Sequence, residues 1–402
     1  MKMRIFRNSF AAILIIVLIG CQHSTEKEVL HKLNTIETRY YKNTDDVTVS
    51  KIKELDTIEV KKGESIDHLV TNGKAALMVQ KVLNDGYVGT GDIYVYDFSN
   101  RQLKKAKSFK QKTWIVAFTE IDGHYIYACL DKPENLGTPY SLKIIDEDNG
   151  VTKVIAAAKV GNPSEFIPFF VVQGKTVYFM LSDLQSDDGK YDEKAVMKQS
   201  FIAYTNGESH TLYHTESNIV NGEWNQADGM IQTNTLYYHS KGIMFQEFHK
   251  EKSYLYYWQN EKMNNYVLSD NELYLRGFLD GYAVIFDKKE NKHKTLNLRT
   301  GEWYTIQTDQ SLYTPEGFHD TVLYFLGGML DKSWLLFLQK DGSTILKSFD
   351  GIYEKALGRK RKDVDTLCFS TDGEYILVNL LDYSIGNPHN DFFEVRMKEN
   401  VK

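Results

Sequence analysis

The amino-acid sequence predicts an all-β fold, a seven-bladed β-propeller, from its composition and from two hairpin patterns that recur along the chain. Tyr (26) and Phe (21) are abundant among the 402 residues, while Pro is scarce at 6. This composition favours a packed β-rich domain over a disordered chain. The competing architecture, two separate β-sandwiches, needs a linker near the middle of the chain, and the sequence shows none there.

The first hairpin pattern is a tight turn followed by a strand that is apolar on both faces. Asp122 and Gly123 before "HYIYACL" are an example, since Asp-Gly and Asn-Gly tolerate the positive φ angles of two-residue turns. Successive residues of a strand point to opposite faces, so both faces of such a strand must be covered. Seven of these turns recur, near residues 72, 122, 173, 233, 280, 320 and 372.

The second hairpin pattern joins two half-polar strands, as in "TLNLRTGEWYTI" from Thr295 to Ile306. Leu296 and Leu298 alternate with polar residues, which indicates a strand half exposed to water, and Trp303 is expected to pack on its own sheet. Buried inner strands and half-solvated outer strands are what the four-stranded blades of a propeller require. Five further copies span residues 94–106, 143–155, 202–213, 256–268 and 336–347.

The two ends of the chain are predicted to close the ring. The last repeat ends with "FFEVRMK" (392–398) and lacks a fourth strand, whereas the strand-like segment 46–55 has no blade of its own. We expect this N-terminal strand to complete the seventh blade, so that no long unpaired edge remains.

The N-terminus has the three parts of an export signal. Lys2, Arg4 and Arg7 are followed by an apolar core, residues 10–19, and then by "LIGC" ending at Cys21. This resembles the lipobox of bacterial lipoproteins, which implies cleavage between Gly20 and Cys21 and acylation of Cys21, a stable membrane anchor. The alternative is an uncleaved anchor, although about ten apolar residues are short of the roughly 20 that span a bilayer.

The domain boundaries follow from these features. Residues 1–20 are predicted to be the lipoprotein signal peptide, 21–46 a polar tether and 47–402 the propeller. Leu30, Leu33, Ile36 and Tyr40 have a loose helical spacing, but the polar composition around them is more typical of a tether.

One repeat carries a recognisable family motif. "FSTDGEYILV", Phe369 to Val378, resembles the repeat of TolB-like and prolyl-oligopeptidase-type propellers, whose inner turn often reads Ser-Pro-Asp-Gly. Thr371 stands where that motif has Pro. The match covers about ten residues, so it supports the fold and implies little about function.

Charge and cysteine content narrow the classes of partner. The formal net charge is −6, and removal of the basic signal residues makes the remaining chain more acidic, which argues against nucleic acid as a partner. After Cys21, Cys129 and Cys368 both lie in apolar strand-like runs. Two buried thiols are favoured over a disulfide.

No strong catalytic motif is present: G-x-S-x-G, a P-loop, H-E-x-x-H and a CxxC pair are all absent. His210 and His214 in "HTLYH" have the spacing of a helical metal site. On a strand they would lie roughly 13 Å apart, too far to share one ion. Exposed rim histidines are the preferred interpretation.

The acidic segment "SDLQSDDGKYDEK" (182–194) resembles a calcium loop at first sight. An EF-type loop needs an acid five positions before its Gly, where Leu184 stands before Gly189. A looser calcium site and a solvated acidic loop both remain as hypotheses, and no other cofactor is predicted. The "DEDNG" run (146–150) is more simply a hairpin turn. Candidate calcium ligands, which are also candidate partner contacts, are Asp183, Asp187, Asp188 and Asp192.

Long connections after the second strand of several blades are predicted to share one face of the ring. They cover residues 131–140, 182–199, 240–253 and 381–391. Met244, Phe245 and Phe248 in the third of these suggest an exposed contact surface; the alternative is that they pack onto their own blade. The basic run "GRKRK" (358–362) could contact anionic headgroups or simply be solvated.

The sequence therefore favours a non-enzymatic binding or assembly role. The expected protein is a lipoprotein anchored through Cys21 on the extracytoplasmic face of the cell membrane, which presents its loop-rich face to a protein or cell-envelope partner. Two alternatives remain: an envelope enzyme that acts on glycans with acids converging at the propeller centre, and capture of a small ligand at that centre.

Overall fold

The structure is a computed structural model of the chain. It describes residues 26–28, 33–41, 47–71, 73–82, 88–109, 114–131, 140–160, 167–185, 195–218, 229–231, 236–239, 242–270, 272–279, 281–307, 312–319, 322–327, 333–338, 344–348, 365–371, 375–382 and 389–397.

The described residues form β-strands and one short 3-10 helix, and the strands are hydrogen-bonded into six sheets. Near the N-terminus lie β1 (Glu26–Glu28), β2 (Leu33–Tyr41), β3 (Val47–Lys51) and the helix Lys53–Thr57. The first sheet contains β4 (Glu64–Thr71), β5 (Lys74–Val82), β6 (Val88–Asp97) and β7 (Gln102–Phe109). The second contains β8 (Trp114–Ile121), β9 (His124–Asp131), β10 (Tyr140–Asp148) and β11 (Val151–Val160). The third contains β12 (Val171–Gln173), β13 (Thr176–Gln185), β14 (Val196–Thr205) and β15 (Glu208–Asn218).

The remaining three sheets each include one of the N-terminal strands. The fourth contains β16 (Met230–Ile231), β17 (Tyr237–His239), β18 (Gly242–Phe248), β19 (Ser253–Gln259) and β20 (Lys262–Leu268), with β1 on its outer edge. The fifth contains β21 (Leu273–Leu279), β22 (Tyr282–Asp287), β23 (Lys292–Asn297), β24 (Trp303–Gln307), β25 (Leu312–His319), β26 (Val322–Gly327), β27 (Ser333–Leu338) and β28 (Thr344–Ser348), with β2 in the middle. The sixth contains β29 (Asp365–Thr371), β30 (Ile376–Asp382) and β31 (His389–Met397), with β3 on its outer edge.

The fold is an all-β propeller with six sheets, so the prediction of seven separate blades was wrong. The nine-stranded fifth sheet contains the strands expected for two blades, joined by β2. The first half of β2, from Leu33, runs parallel to β24, and its second half, from Thr38, runs parallel to β28. An outer strand has a free row of backbone N–H and C=O groups. Strand β2 pairs with the free row of β24 through its first half and with that of β28 through its second half.

Two strands lie within residues 21–46, the segment predicted to be a polar tether. Residues 26–28 form β1, which pairs in parallel with β20 from Asn265 to Val267, and residues 33–41 form β2. A polar segment can form such an added edge strand because the strand needs backbone partners and does not need an apolar face.

Closure of the ring by the N-terminal strand is confirmed. Strand β3 pairs antiparallel with β31, from Val47 opposite Met397 to Lys51 opposite Phe393. The next backbone amide, of Ile52, donates to the carbonyl of Phe392 at 2.9 Å. The innermost strand β29 also contacts β4, so the last sheet meets the first.

The connections lie on two faces of the propeller, because consecutive strands within a blade are antiparallel. We call the face with the first-to-second and third-to-fourth connections the turn face, and the opposite one the loop face. Turn-face pairs such as Asp122–Gly123 (φ 48° and 85°) and Asn206–Gly207 (φ 52° and 81°) adopt the positive φ angles expected of them. The predicted "DEDNG" hairpin turn is confirmed, with Asn149 and Gly150 at φ 49° and 83°.

Burial agrees with the predicted difference between inner and outer strands. Every residue from Ile126 to Leu130 of β9 is buried, whereas Val151 and Val154 of the outer strand β11 are 72% and 54% exposed. Trp303 is buried and packs with Leu296 and Leu298, as expected for a residue that packs on its own sheet.

Buried glutamines connect several sheets to the innermost strand of the next one. Gln246 of β18 donates to the carbonyl of Leu273 at 2.7 Å and accepts from the amide of Leu275 at 2.6 Å, both in β21. Gln199 of β14 makes the same two-way contact with Ile231 of β16, at 2.8 Å in each direction. These bonds satisfy backbone groups that the inner strands leave unpaired between blades.

Replacing Gln246 by leucine is expected to lower the free energy of unfolding by about 2–3 kcal/mol, because a buried N–H and a buried C=O lose their partners. Chemical denaturation followed by circular dichroism would measure the change. Gln102→Leu, at an exposed position, is the control and should change stability by less than about 0.5 kcal/mol. Equal effects of the two substitutions would contradict the role given to Gln246.

Candidate binding surface on the loop face

An open cavity of about 320 Å³ lies between the second and third sheets. It lies at the ends of β11 and β13 and at the start of β10, which places it on the loop face. The connections 132–139, 161–166 and 186–194 therefore begin or end beside it. Its lining residues are Ser141, Ala157, Ala158, Lys159, Asp183, Leu184 and Gln185.

Asp183 lies within strand β13, not in a loop as predicted. Its carboxylate accepts the backbone N–H of Lys159 at 2.7 Å and a hydrogen bond from the Gln185 amide. Lys159 belongs to β11, the edge strand of its sheet. Its outward-pointing N–H would otherwise need water or another strand as acceptor, and Asp183 supplies that acceptor. The cavity lining thus combines charged and polar residues, Asp183, Lys159, Gln185 and Ser141, with two alanines and a leucine.

The calcium hypothesis gains no support from the part of the chain that the structure describes. Asp187, Asp188 and Asp192 lie outside the described residues, and among those described no group of three or more His, Cys, Asp or Glu side chains could hold a metal ion.

His210 and His214 are exposed on strand β15, so the prediction of exposed rim histidines is confirmed.

The exposed surface predicted around Met244 and Phe245 is corrected by the structure. Both residues lie in strand β18 and are 0% exposed. The Phe245 ring contacts Phe201 and Tyr256, with centroid distances of 5.4 and 5.2 Å. Phe248 is half-buried and packs on Tyr274 at 5.5 Å. The alternative interpretation, packing onto their own blade and its neighbours, therefore describes these residues.

A carboxylate–tyrosine cluster that the sequence did not reveal lies between the third and fourth sheets. Glu247, 3% exposed, accepts hydrogen bonds from the hydroxyls of Tyr213 and of Thr215, the latter at 3.1 Å. Nε2 of His249 lies 3.3 Å from the same carboxylate, and the hydroxyl oxygens of Tyr213 and Tyr256 lie 3.0 Å apart. The carboxylate thereby fixes the orientation of two half-buried tyrosine rings.

The electrostatics of this cluster keep both tyrosines protonated. Burial is the main cause that raises the pKa of Tyr213 and of Tyr256 above the ordinary range, and the negative charge of Glu247 is the second. Their hydroxyls thus remain donors at physiological pH. The alternating Tyr254 and Tyr256 were a signal in the sequence, but nothing local indicated that Tyr213, on another sheet, would face them.

The ring centre, where the small-ligand and glycan hypotheses would act, is bordered by the innermost strands. Asp67 of β4 is exposed to water on one side. The protein around the rest of its carboxyl partly desolvates that group and raises its pKa. Burial lowers the pKa of the neighbouring His68 to about 4. Glu120 of β8 is buried and pairs with Lys74 at 2.9 Å and Lys104 at 3.2 Å. The described side chains of β4 and β8 therefore do not supply a pair of free acids.

Of the two cysteines predicted to be buried thiols, Cys129 is buried and free, and burial raises its pKa to about 11. Cys368 lies in strand β29. The basic run 358–362 lies outside the described residues.

The strand pairing and the closed ring define the class of protein, an all-β propeller. No family model matches the sequence, and no curated protein matches it. No helix within the described ranges is long and apolar enough to cross a bilayer.

Solved structures that are similar to this chain include several peptidases. The β-propeller domain of the Trilobed protease from Pyrococcus furiosus is 12% identical, with 83% of this chain and 95% of that chain covered and a TM-score of 0.48. Oligopeptidase B from Trypanosoma brucei is 8% identical, with 87% and 51% covered and a TM-score of 0.49. Prolyl oligopeptidase B from Galerina marginata is 10% identical, with 87% and 52% covered and a TM-score of 0.48. The chain spans about half the length of these two oligopeptidases.

Proposed function

We propose that this protein is a lipoprotein, acylated at Cys21 and held on the extracytoplasmic face of the cell membrane, whose propeller binds a protein or cell-envelope partner through its loop face. The lipobox "LIGC" at residues 18–21 supports the anchor. The acidic charge of the chain favours such partners over nucleic acid.

The observation that carries the binding role is the length of the loop-face connections in and between the second and third sheets. Turn-face connections such as Asp122–Gly123 and Asn206–Gly207 are tight, whereas the loop-face connections between Asp131 and Tyr140, Val160 and Val171, and Gln185 and Val196 are longer. Each of these three connections has one end at a strand terminus that borders the cavity with Asp183. A rigid scaffold that presents long connections around one concavity is a common arrangement for recognition.

Shortening the acidic connection tests the binding role. Residues 182–185 and 196–199 belong to strands β13 and β14, so the deletion should be limited to 186–194 and closed with a short Gly-Ser linker. We expect this variant to keep its fold and to lose the crosslinks that mass spectrometry detects for the wild type on intact cells. Lys175→Ala, exposed on the turn face, should keep them. An unchanged set of crosslinks in the deletion variant would contradict the proposal.

The Cys21→Ala variant tests the anchor. It should fractionate with the soluble extracytoplasmic proteins or remain unprocessed, and it should take up no labelled fatty acid, whereas the wild type is labelled. Absence of labelled fatty acid on the wild type would overturn the lipid anchor.

A further inference from the structure

Strand β1 fixes where the chain enters the propeller. Glu26, Lys27 and Glu28 pair in parallel with Asn265, Tyr266 and Val267 of β20, the outer strand of the fourth sheet. Cys21 precedes Glu26 by five residues, so covalent geometry keeps their Cα atoms within ~18 Å of each other. If the chain were unpaired from Cys21 as far as Val47, the Cα atoms of these two residues could lie ~90 Å apart.

The direction of β1 decides from which face the chain arrives. Strand β20 begins at Lys262, directly after the turn-face pair Asn260–Glu261, and ends at Leu268 towards the loop face. Since β1 is parallel to β20, it also runs from the turn face towards the loop face. The N-terminal end of β1, at Glu26, is therefore directed towards the turn face, and its partner Asn265 lies only ~10 Å along the strand from Lys262.

The side chains near this entry are of the kind that suits a lipid interface. Trp258 and Met263 form a cross-strand pair beside the Asn260–Glu261 turn, and both are half-buried. Both pack against the buried cluster that includes Phe201 and Phe245, as does half-buried Leu212 of the third sheet, while Lys262 is exposed at the turn. Trp beside a basic residue is typical of the boundary between lipid and water.

We propose that the membrane contacts the turn face at the outer rim of the third and fourth sheets, around Trp258 and Lys262, and that the loop face is directed away from the lipid. This inference rests on the proposed anchor at Cys21 and adds an orientation to it. The partner of this surface is a phospholipid bilayer. The short connection to Cys21 restrains the propeller against it.

Lysine acetylation of the vesicle-bound protein tests this orientation, because lysines lie at both ends of strand β19. Lys252 precedes β19 on the loop face, and Lys262 follows it on the turn face. The chain from Cys21 onward would be coupled through that thiol to maleimide-bearing lipid in phosphatidylcholine and phosphatidylglycerol vesicles. Peptide mass spectrometry would verify the coupled residue and compare acetylation rates with those of the uncoupled protein.

Coupling is expected to slow acetylation of Lys262 at least threefold and to leave Lys252 within about a factor of 1.5. A 20-residue Gly-Ser insertion after Gln22 should restore the Lys262 rate, because it removes the short restraint. Equal protection of both lysines, stronger protection of Lys252, or protection of neither would overturn the orientation. Natural acylation is tested separately by the mass of the protein purified from membranes, so failure of the anchor and failure of the orientation are distinguishable.

Discussion

Replacing Phe245 by alanine is expected to lower the free energy of unfolding by about 3–5 kcal/mol, the usual cost of removing a buried aromatic ring. The ring is fully buried and contacts Phe201, Tyr213 and Tyr256 at centroid distances of 5.4, 5.6 and 5.2 Å. The cavity left behind would lie between two sheets that are each already closely packed. Urea denaturation followed by circular dichroism measures the loss.

Phe248→Ala in the same strand is the matched control. Phe248 is only half-buried, and its ring contacts Tyr274 at 5.5 Å, so we expect a loss of about 1–2 kcal/mol. If Phe245 served binding instead, its removal would weaken partner capture at unchanged stability. That result would restore the exposed surface that the sequence suggested.

The second large effect is expected for Lys294→Met, which removes the cation of a buried ion pair. Lys294 is 5% exposed, and its ammonium lies 2.7 Å from Asp287 and 2.9 Å from Glu290. Without it, Asp287 keeps a buried charge, and we expect a loss of about 3–5 kcal/mol in the free energy of unfolding. Lys292→Met, exposed in the same strand, should cost less than about 0.5 kcal/mol.

A double variant separates the penalty of the orphaned charge from the value of the pair. Asp287→Asn removes the charge but keeps an oxygen for the Glu290 amide, which Asp287 accepts at 3.0 Å. Combined with Lys294→Met, it should recover at least half of the lost stability. A double variant as unstable as Lys294→Met would show that the lysine stem, not its charge, is what the site requires.

The pH dependence of the pair follows from two opposite pKa shifts. Burial is the largest single influence and opposes the charged form of both groups, but their mutual hydrogen bond, the contacts with Glu290 and the charge attraction together outweigh it, so the pKa of Asp287 is lowered and that of Lys294 is raised. The contribution of Asp287 is present above its unfolded pKa of about 4 and is lost as pH falls through the folded value. That of Lys294 is present below about pH 10.4 and is lost as pH rises through the folded value. The difference between wild type and Lys294→Met should therefore shrink at both extremes.

The repeat pattern predicted the fold because its signals are local. Asp122-Gly123 and Asn206-Gly207 specify positive φ angles through their own chemistry, and the apolar run of β9 requires cover on both faces. Closure by β3 was inferred from a missing strand at one end and a surplus strand at the other. The pairing of β2 with β24 and β28 joins segments far apart in sequence, and a polar edge strand carries no pattern that identifies its partner.

The candidate site was less accessible to sequence reasoning, because polarity does not distinguish a loop from the end of a strand. Asp183 belongs to an acidic run but extends β13 and pairs the amide of Lys159. Phe245 lies among charged residues but occupies an inward position of β18. Glu247 could not be recognised as part of a cluster from the sequence, because its hydrogen-bond partner Tyr213 lies on another sheet.

The N-terminal strands also set an order on folding. Strands β1, β2 and β3 are synthesised first, yet their partners β20, β24, β28 and β31 come much later in the chain. Such distant pairings are slow to form because the intervening loop must close first. An exported chain would therefore hold its first strands unpaired until nearly all of it had emerged, a period in which extracytoplasmic chaperones or proteases could act on them.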